Sequence, residues 1–513
     1  MADKDISKSA RRVSKLDNAV GEHQLKKNLH QLGNDDGRES VQHVDSGSDS
    51  VSGLKENTQN SDEIESRASG SDSQDFSNKR AKSSTQQNEQ SSRSSKKKKV
   101  MCATEEPWNA LTRSLTRVIN CEKGVKFPQK LSSMDPLRAE LFDHAVNMLK
   151  EYQGQSEQQK DISVVKDAQV AMSCVLNTLS KRACDHFDNY NNGSILEEAK
   201  ELSLVEGFTE HPCQRIMKNY IPILEEADVE DFLSNLKTDW GLLQSRKSKP
   251  PLPSQLLEDK VIEILILLCK FITHPPFGAA IPSEMDCMHI WVSIFSVLTD
   301  KVTLHTGEKA LGASKLMRQL QTSEYGDVSD AGRKADCLFM FQDIELSNIE
   351  FKCDNISPRE IAIQNRKNIR LARCIQELHV AIGVSSPSVH VADVAGFVGM
   401  FYQAMPMGEI AIAGRTAPET VHLPRNKGDL LNFLEDSSLA IIWNFIDSLE
   451  KQAPKLRTAK ERTESTKKKE KFVQSIARPR DTTPPPPAVR LFSNNVTLSP
   501  TKKRGLSSIE RGP

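Results

Sequence analysis

Apolar residues in the first part of the foldable chain recur every three or four positions. In residues 137–152, LRAELFDHAVNMLKEY, this spacing places the apolar side chains on one face of a helix. Asp135 and Pro136 just before it supply a capping side chain and a favourable first helical residue. The pattern predicts a helical module over residues 103–246. No side chains in it indicate chemistry, so we expect the module to pack on the core or to bind a protein partner.

The pattern changes after the proline-rich segment KSKPPLP at residues 247–253, which is typical of a linker. Residues 261–272 are apolar almost all round, as expected of a buried helix. A second helix is predicted to begin near Ser283, followed by strand-like runs and a closing helix that ends near residue 449. This order predicts an α/β fold over residues 254–450, in which helices flank a mixed central sheet.

Two strand-like runs in this domain are predicted to form a hairpin. Residues 335–342 are an apolar, strand-like run with a single carboxylate, Asp336. The next five residues are predicted to turn, and residues 348–353 are predicted to form the second strand. Alternate side chains of a strand share a face, so Glu350 and Lys352 should point one way and their apolar neighbours the other. The hairpin would bring Asp336 beside Glu350 across the ladder.

The spacing D-x(13)-E-x-K on two neighbouring strands resembles the PD-(D/E)XK nuclease superfamily, which has a restriction-endonuclease-like core, and the resemblance covers about residues 280–450. It implies that Asp336, Glu350 and the backbone carbonyl of Phe351 hold Mg²⁺ or Mn²⁺, hard cations that prefer oxygen ligands. Lys352 is then expected to orient the attacking water. The alternative is an ordinary amphipathic hairpin whose charged residues face water.

A glutamate from the first helix commonly completes the metal site in this superfamily. Glu284, directly after the predicted N-cap Ser283, matches that position best, and Glu308 in HTGEKA is its rival. Glu284 lies on the apolar stripe of its helix, where a carboxylate is costly without a partner. The alternative for Glu284 is an exposed first-turn acid that the helix dipole alone favours.

The helix predicted after the hairpin carries a second set of candidate residues. Arg366, Arg370 and Arg373 lie at i, i+4 and i+7 on one face, and Gln364 and Lys367 share a neighbouring face. The resemblance implies that Gln364 assists at the active site. It also implies that Lys367 and the three arginines contact nucleic-acid phosphates. The alternative is a solvated helix face, which charge runs commonly form.

Composition predicts that both ends of the chain are disordered. Residues 1–102 contain one aromatic residue, Phe76, and residues 451–513 are again polar, with PPPP at 484–487. Such segments bury too little apolar surface to offset their ordering entropy. Residues 451–513 carry 16 Lys/Arg against 5 Asp/Glu, whereas residues 101–450 have a net charge of −13. The basic tail, and not the core, is therefore expected to attract phosphates without specificity.

Basic clusters in both tails resemble nuclear-import signals. KRAK at residues 79–82 is followed after thirteen residues by KKKK at 96–99, a bipartite spacing, and further clusters lie at 467–469 and 499–504. They predict a nuclear protein with a nuclear import receptor among its partners. The alternative is that these clusters are solvated charge runs.

The cysteine and hydropathy patterns argue against several other classes of protein. The ten cysteines show no C-x-x-C and no paired histidine spacing, so a structural zinc site is not expected. The N-terminus lacks the apolar core of a signal peptide, and the most apolar run, residues 264–269, is too short to cross a bilayer. A soluble intracellular protein without membrane contact is predicted.

These features predict a metal-dependent nuclease that hydrolyses phosphodiester bonds in the nucleus, on DNA in preference to RNA. A second hypothesis comes from a different class: a catalytically silent protein that keeps the nuclease-like fold and binds nucleic acid or acts as a scaffold. The D…E-x-K set favours the enzyme. The acidic core and the long arms favour the scaffold.

Overall fold

The computed structural model describes residues 106–156, 158–246, 250–275, 282–325, 332–476 and 496–497. The predicted disordered arm, residues 1–102, lies outside these ranges, as do the basic clusters at 79–82, 96–99 and 499–504. Within the described ranges, no helix is both long enough and apolar enough to cross a membrane.

The first part of the chain folds mainly into helices, as the periodicity predicts. Asp135 caps one of them by accepting hydrogen bonds from the backbone N–H groups of Leu137 and Arg138, and Pro136 occupies its first position. The helices are α1 Glu106–Ile119, α2 Pro136–Gly154, α3 Ile162–Ala171, α4 Lys181–Asp188, α5 Ser194–Ser203, α6 Cys213–Lys218, α7 Ile221–Glu226 and α8 Val229–Arg246.

The second part of the chain supplies most of the sheet. Its helices are α9 Pro253–Thr273, α10 Glu284–Leu298, α11 Gly312–Tyr325, α12 Pro358–Ala381, α13 Lys427–Glu435 and α14 Ser438–Ile476. Its strands are β2 Thr303–Ala310, β3 Lys334–Phe341, β4 Ile344–Lys352, β5 Val389–Ala395, β6 Val398–Met407, β7 Ile410–Arg415 and β8 Val421–His422. Ser283 and Ser357 form capping boxes at the starts of α10 and α12, where the sequence predicts helix starts.

The described strands form one mixed, eight-stranded sheet in the order β1-β7-β6-β5-β4-β3-β2, where β1 is Val175–Asn177 and β8 pairs with β6. The pairs β1/β7 and β4/β5 are parallel and the others are antiparallel. Helix α12 makes the crossover that the parallel pair β4/β5 requires. The predicted architecture, a mixed sheet flanked by helices, is confirmed at this level.

The predicted helical module, residues 103–246, is not purely helical. Its short strand β1 joins the sheet beside β7, with Val175 opposite Ala411 and Asn177 opposite Ala413. Helix α3 packs against α12, and the described residues on both sides of the proline-rich segment belong to one compact unit. Three residues carry too little periodicity to be recognised as a strand, so the sequence alone placed a domain boundary inside one body.

The hairpin turn is shorter than the sequence predicts. Only Gln342 and Asp343 separate β3 from β4, and Gln342 adopts a left-handed conformation with φ of 56°. Residues 344–347, expected in the turn, belong to β4. Glu345 made this stretch look polar, but its carboxylate is buried and accepts two backbone N–H groups at the start of α11. A polar residue therefore lies inside a strand because it caps a helix.

The fold continues past the predicted start of the C-terminal tail at residue 451. Helix α14 runs to Ile476, so the boundary at 450 falls inside it. Ala453 and Leu456 are buried and hold its next turns against the core. Beyond them, ion pairs one turn apart, such as Arg457 with Glu461 at 2.8 Å, support an exposed helix.

Two residues near the C-terminus are also part of the fold. Val496 and Thr497 are buried, and Val496 joins the apolar layer between α11 and α12. The backbone N–H of Thr497 donates to Ser173 at 3.0 Å, and its carbonyl accepts from Arg370 at 3.1 Å. The predicted tail thus contains at least one anchored point.

Each face of the sheet is covered by its own layer of helices. On one face, Ile349 and Phe351 of β4 join an apolar cluster with Trp291 and Phe295 of α10. On the other face, α12 lies across the strands together with α3 and α11. Glu350 points toward α12, away from its two apolar neighbours, as strand alternation predicts.

Candidate active site

Asp336 and Glu350 meet across the antiparallel pair β3/β4. Cys337 lies opposite Ile349, which sets Asp336 opposite Glu350. Asp336 Oδ2 accepts a hydrogen bond from the backbone N–H of Phe351 at 2.8 Å, so its carboxylate is fixed beside the Glu350 position. Of the predicted site residues, these two are brought together as the sequence indicates.

Glu350 is the buried centre of the site, with only 2% of its surface exposed. The ammonium of Lys367, more than two turns into α12, contacts its Oε2 in an ion pair. Gln364 Nε2 donates to the backbone carbonyl of Glu350 at 2.9 Å. Both predicted α12 residues therefore reach the end of β4, because the helix begins directly after this strand and crosses over it.

Lys352 links β4 to the start of α10. Its ammonium donates to Glu284 Oε2 at 2.9 Å and to the backbone carbonyl of Phe351 at 2.7 Å. The structure thus places Glu284 at the site, as one of the two predicted alternatives. Glu308 lies in β2, and its side chain is outside the part of the chain that the structure describes.

A third carboxylate, missed by the sequence analysis, stands beside Glu350. Asp393 of β5 is in register with Glu350 of β4 and is buried. Its oxygens accept hydrogen bonds from Asn365 at 2.9 Å, Asn368 at 3.0 Å and Tyr402 at 2.8 Å. An aspartate inside the apolar run VHVADVA was the available signal, since such a residue needs partners.

Burial shifts the proton affinities of these groups. It raises the pKa of Glu350 to about 8, with help from Asp336 and Asp393, while Lys367 opposes the shift. Burial also raises the pKa of Asp393 to about 6, against its hydrogen-bond donors. For Lys352, burial acts against the charge, but the hydrogen bond to Glu284 and the nearby carboxylates outweigh it and raise the pKa. Near neutral pH the site therefore holds a charged Lys352 and a Glu350 that keeps its proton.

The raised pKa of Glu350 predicts a stability that falls with rising pH. The folded protein keeps this proton up to about pH 8, whereas an unfolded glutamate loses it near the ordinary value of 4.5. Unfolding between these values releases a proton, so the free energy of unfolding should drop across that window by an amount on the order of a few kcal/mol. Urea unfolding in EDTA from pH 5 to pH 8 measures this slope.

Glu350→Gln supplies the control for that slope. The amide cannot titrate, so the part of the slope above about pH 6 should disappear, while the part due to Asp393 should persist below it. An unchanged slope in Glu350→Gln would mean that other groups cause the pH dependence.

The predicted arginine face does not face solvent. Arg366 is buried and forms a two-point ion pair with Asp167 of α3, at 2.5 and 3.1 Å. Ser180 donates to the same carboxylate at 2.8 Å. This arginine was expected to contact nucleic-acid phosphates and instead holds the first part of the chain to α12.

Arg370 and Arg373 are buried as well, so the prediction of a phosphate-binding stripe is corrected for all three arginines. Arg370 donates to the backbone carbonyls of Arg366 and Thr497, and Arg373 forms an ion pair with Glu377 one turn along α12. Their shared face was predicted correctly. It meets the layer formed by α3, α11 and the C-terminal anchor and not water.

The site has features that fit a divalent cation. Glu350 Oε1, Gln364 Oε1 and Asn348 Oδ1 are buried acceptors with no hydrogen-bond partner among the described residues. No group of three His, Cys, Asp or Glu side chains able to hold a metal occurs in the described part of the chain. Mg²⁺ commonly takes one or two carboxylates and keeps several waters. Asp336, Glu350 and the Phe351 carbonyl are the oxygen donors that the described residues offer at this end of the sheet.

No protein-family model, no curated protein and no solved structure matches this chain.

Proposed function

We propose that this protein is a metal-dependent nuclease that hydrolyses phosphodiester bonds of nucleic acid, as the resemblance to the PD-(D/E)XK superfamily implies. One observation carries the proposal. Asp336, Glu350 and Lys352 lie together at the start of β3 and the end of β4, with Glu284 beside the lysine. The buried oxygen Oε1 of Glu350 has no donor among the described residues. An ordinary solvated hairpin would not bury its glutamate in this way.

Each residue has a separate role in this proposal. Asp336, Glu350 and the carbonyl of Phe351 would hold Mg²⁺ or Mn²⁺, which polarises the phosphoryl group and lowers the pKa of water when bound. Lys352 would orient the attacking water and offset negative charge that develops on the phosphate oxygens. Glu284 fixes the lysine through its hydrogen bond at 2.9 Å.

The α12 residues support the site from behind. Gln364 holds the end of β4 through the Glu350 carbonyl, and Lys367 would offset the charge of Glu350 when that side chain is ionised. Lys367 is partly exposed, at 38% of its side chain, so it can also meet a substrate phosphate. The three buried arginines are left out of substrate binding.

A second candidate function is supported by a specific contact. The ammonium of Lys352 bonds the Phe351 carbonyl, and that of Lys367 bonds Glu350. Two internal cations thus occupy groups that would otherwise bind a metal, as expected if the fold serves as a catalytically silent scaffold. The two functions differ in whether a divalent cation displaces these lysines.

Cleavage of a mixed pool of labelled DNA and RNA tests the proposal. We expect products with Mg²⁺ or Mn²⁺, none with EDTA, and none from Asp336→Asn prepared in parallel, because the amide offers a weaker cation ligand. DNA is the expected substrate over RNA. Binding of the pool without cleavage under either cation would favour the scaffold, and cleavage by Asp336→Asn would reveal a contaminating nuclease.

The basic clusters support a proposal of nuclear location. KRAK and KKKK lie outside the described residues, and Lys467–Lys469 lies on the exposed end of α14, where a nuclear import receptor can reach it. Replacing the lysines and arginine at 79–82 and 96–99 with alanine should move the protein from nucleus to cytoplasm. Unchanged nuclear accumulation would mean that the signal lies elsewhere.

A further inference from the structure

A second polar site lies against the first turns of α12. A cavity of about 610 Å³ is walled by α12, α5 and the loop after β1, and strands β6 and β7 form its floor. Asn365 lines this cavity and also donates to Asp393 beside Glu350. The cavity and the proposed active site therefore share a side chain and stand next to each other.

The cavity is lined by cations. Its described lining contains no Asp or Glu and includes the charged side chains Lys181, Lys200, Arg366 and Arg415. The two lysines form exposed ion pairs with acids on their own helices, and such pairs stabilise little, so both ammoniums can turn to a ligand. Arg415 donates to the backbone carbonyl of Pro418 at 2.8 Å and has no ion pair with a described carboxylate.

The rest of the lining suits the body of a nucleotide. Apolar side chains form part of the wall, namely Leu179, Leu204, Ile361 and Met400. Next to the lining residue Thr178, the amide of Asn177 is buried, with its oxygen bonded to the Leu179 N–H at 3.0 Å. Its Nδ2 has no partner among the described residues.

We propose that this cavity binds the terminal nucleotide of a nucleic-acid strand, with its phosphate monoester on Arg415, Lys181 and Lys200 and its base against the apolar wall. The proposal rests on the proposed nuclease function and names its substrate as a strand with a phosphorylated end. The volume lies within the range of small-ligand sites. A phosphate monoester at a strand end carries up to two charges and a phosphodiester within the strand only one, so the end gains more from three cations.

Binding by the full-length protein in EDTA tests this site apart from catalysis. The probes are fluorescent single-stranded oligonucleotides of one sequence, phosphorylated at the 5′ end, at the 3′ end or at neither. We expect either the 5′- or the 3′-phosphorylated probe to bind roughly tenfold tighter than the unphosphorylated one. Arg415→Ala and Lys200→Glu should remove this preference, whereas Arg457→Ala, an exposed arginine on α14, should keep it.

Competition with adenosine monophosphate and with inorganic phosphate distinguishes a strand end from a free nucleotide. Displacement of the phosphorylated probe by adenosine monophosphate would assign the cavity to nucleotides in general and not to strand ends. Equal binding of all three oligonucleotides, or a preference unchanged in both cavity variants, overturns the proposal. If wild type cleaves with Mg²⁺ but binds all ends equally, this inference is wrong and the nuclease function stands. If binding depends on the end phosphate but no cleavage occurs, the nuclease function is wrong and this inference stands.

Discussion

Lys352→Ala is expected to lower Mg²⁺-dependent cleavage by about 10²–10³-fold while the protein stays folded. The lysine is 35% exposed at the mouth of the site, so its loss opens no cavity in the core. Its ammonium is the positive charge next to the carbonyl of Phe351 and to Glu284, and an alanine leaves the attacking water without it. Turnover of labelled DNA measures the loss of cleavage, and urea unfolding of the same sample measures whether the protein stays folded.

Lys260→Ala is a matched control for that variant. Lys260 also bonds one backbone carbonyl, that of Leu298 at 3.0 Å, and one carboxylate, that of Asp300 at 2.8 Å, but lies away from the site. Its replacement should leave cleavage unchanged. Glu350→Ala should lose Mg²⁺ binding together with cleavage, because Asp336 alone makes a poor site. Equal activity of Lys352→Ala and wild type would remove the lysine from the mechanism.

Asp167→Ala should destabilise the fold by about 3–5 kcal/mol, since it leaves the guanidinium of Arg366 buried without its carboxylate. The side chains of the pair are 4% and 10% exposed, and they join α3 to α12. The urea midpoint of unfolding should fall with little change in the slope of the transition. A second expected result is a loss of order in α3, because this pair ties it to α12.

Two further variants separate burial from charge. Asp185→Ala removes an exposed carboxylate that pairs with Lys181, and its effect should stay within about 0.5 kcal/mol. Combining Asp167→Leu with Arg366→Met should recover part of the stability, because neither charge is then left unpaired in the interior. Similar losses in Asp167→Ala and Asp185→Ala would show that the buried pair has no special weight.

Local alternation was enough to predict the centre of the site. Asp336, Glu350 and Lys352 lie close in sequence, and the period of a strand fixes which side chains share a face. The error in the turn has a long-range cause. Glu345 caps a helix that begins more than thirty positions earlier, and no pattern near residue 345 reveals that partner.

The arginine stripe shows where periodicity stops being informative. The spacing of Arg366, Arg370 and Arg373 correctly gave one helix face, but periodicity does not say whether that face meets water or another layer. The decisive partner, Asp167, lies 199 positions away. The net acidic charge of the core was a usable signal, because an acidic protein can bury arginines against its own carboxylates.

Asp393 was missed because its surroundings in the sequence show no sign of a polar site. The run around it reads as an ordinary apolar strand, and its partners Asn365, Asn368 and Tyr402 become visible only when α12 and β6 are placed beside β5. An isolated acid in such a run can be flagged from the sequence as needing partners. Which groups supply them is a tertiary fact.

The position of β1 at one end of the sheet constrains how the chain is made. Its neighbour β7 is formed much later, and the contact between Thr178 and Ala413 spans 235 positions. At ordinary elongation rates the ribosome needs roughly 10–50 s to add that many residues. Throughout this interval the apolar faces of α2 and α3 have no sheet to cover them. The N-terminal helices therefore cannot pack on the sheet until β7 has been made. We expect the nascent chain to need chaperones more than the folded protein does.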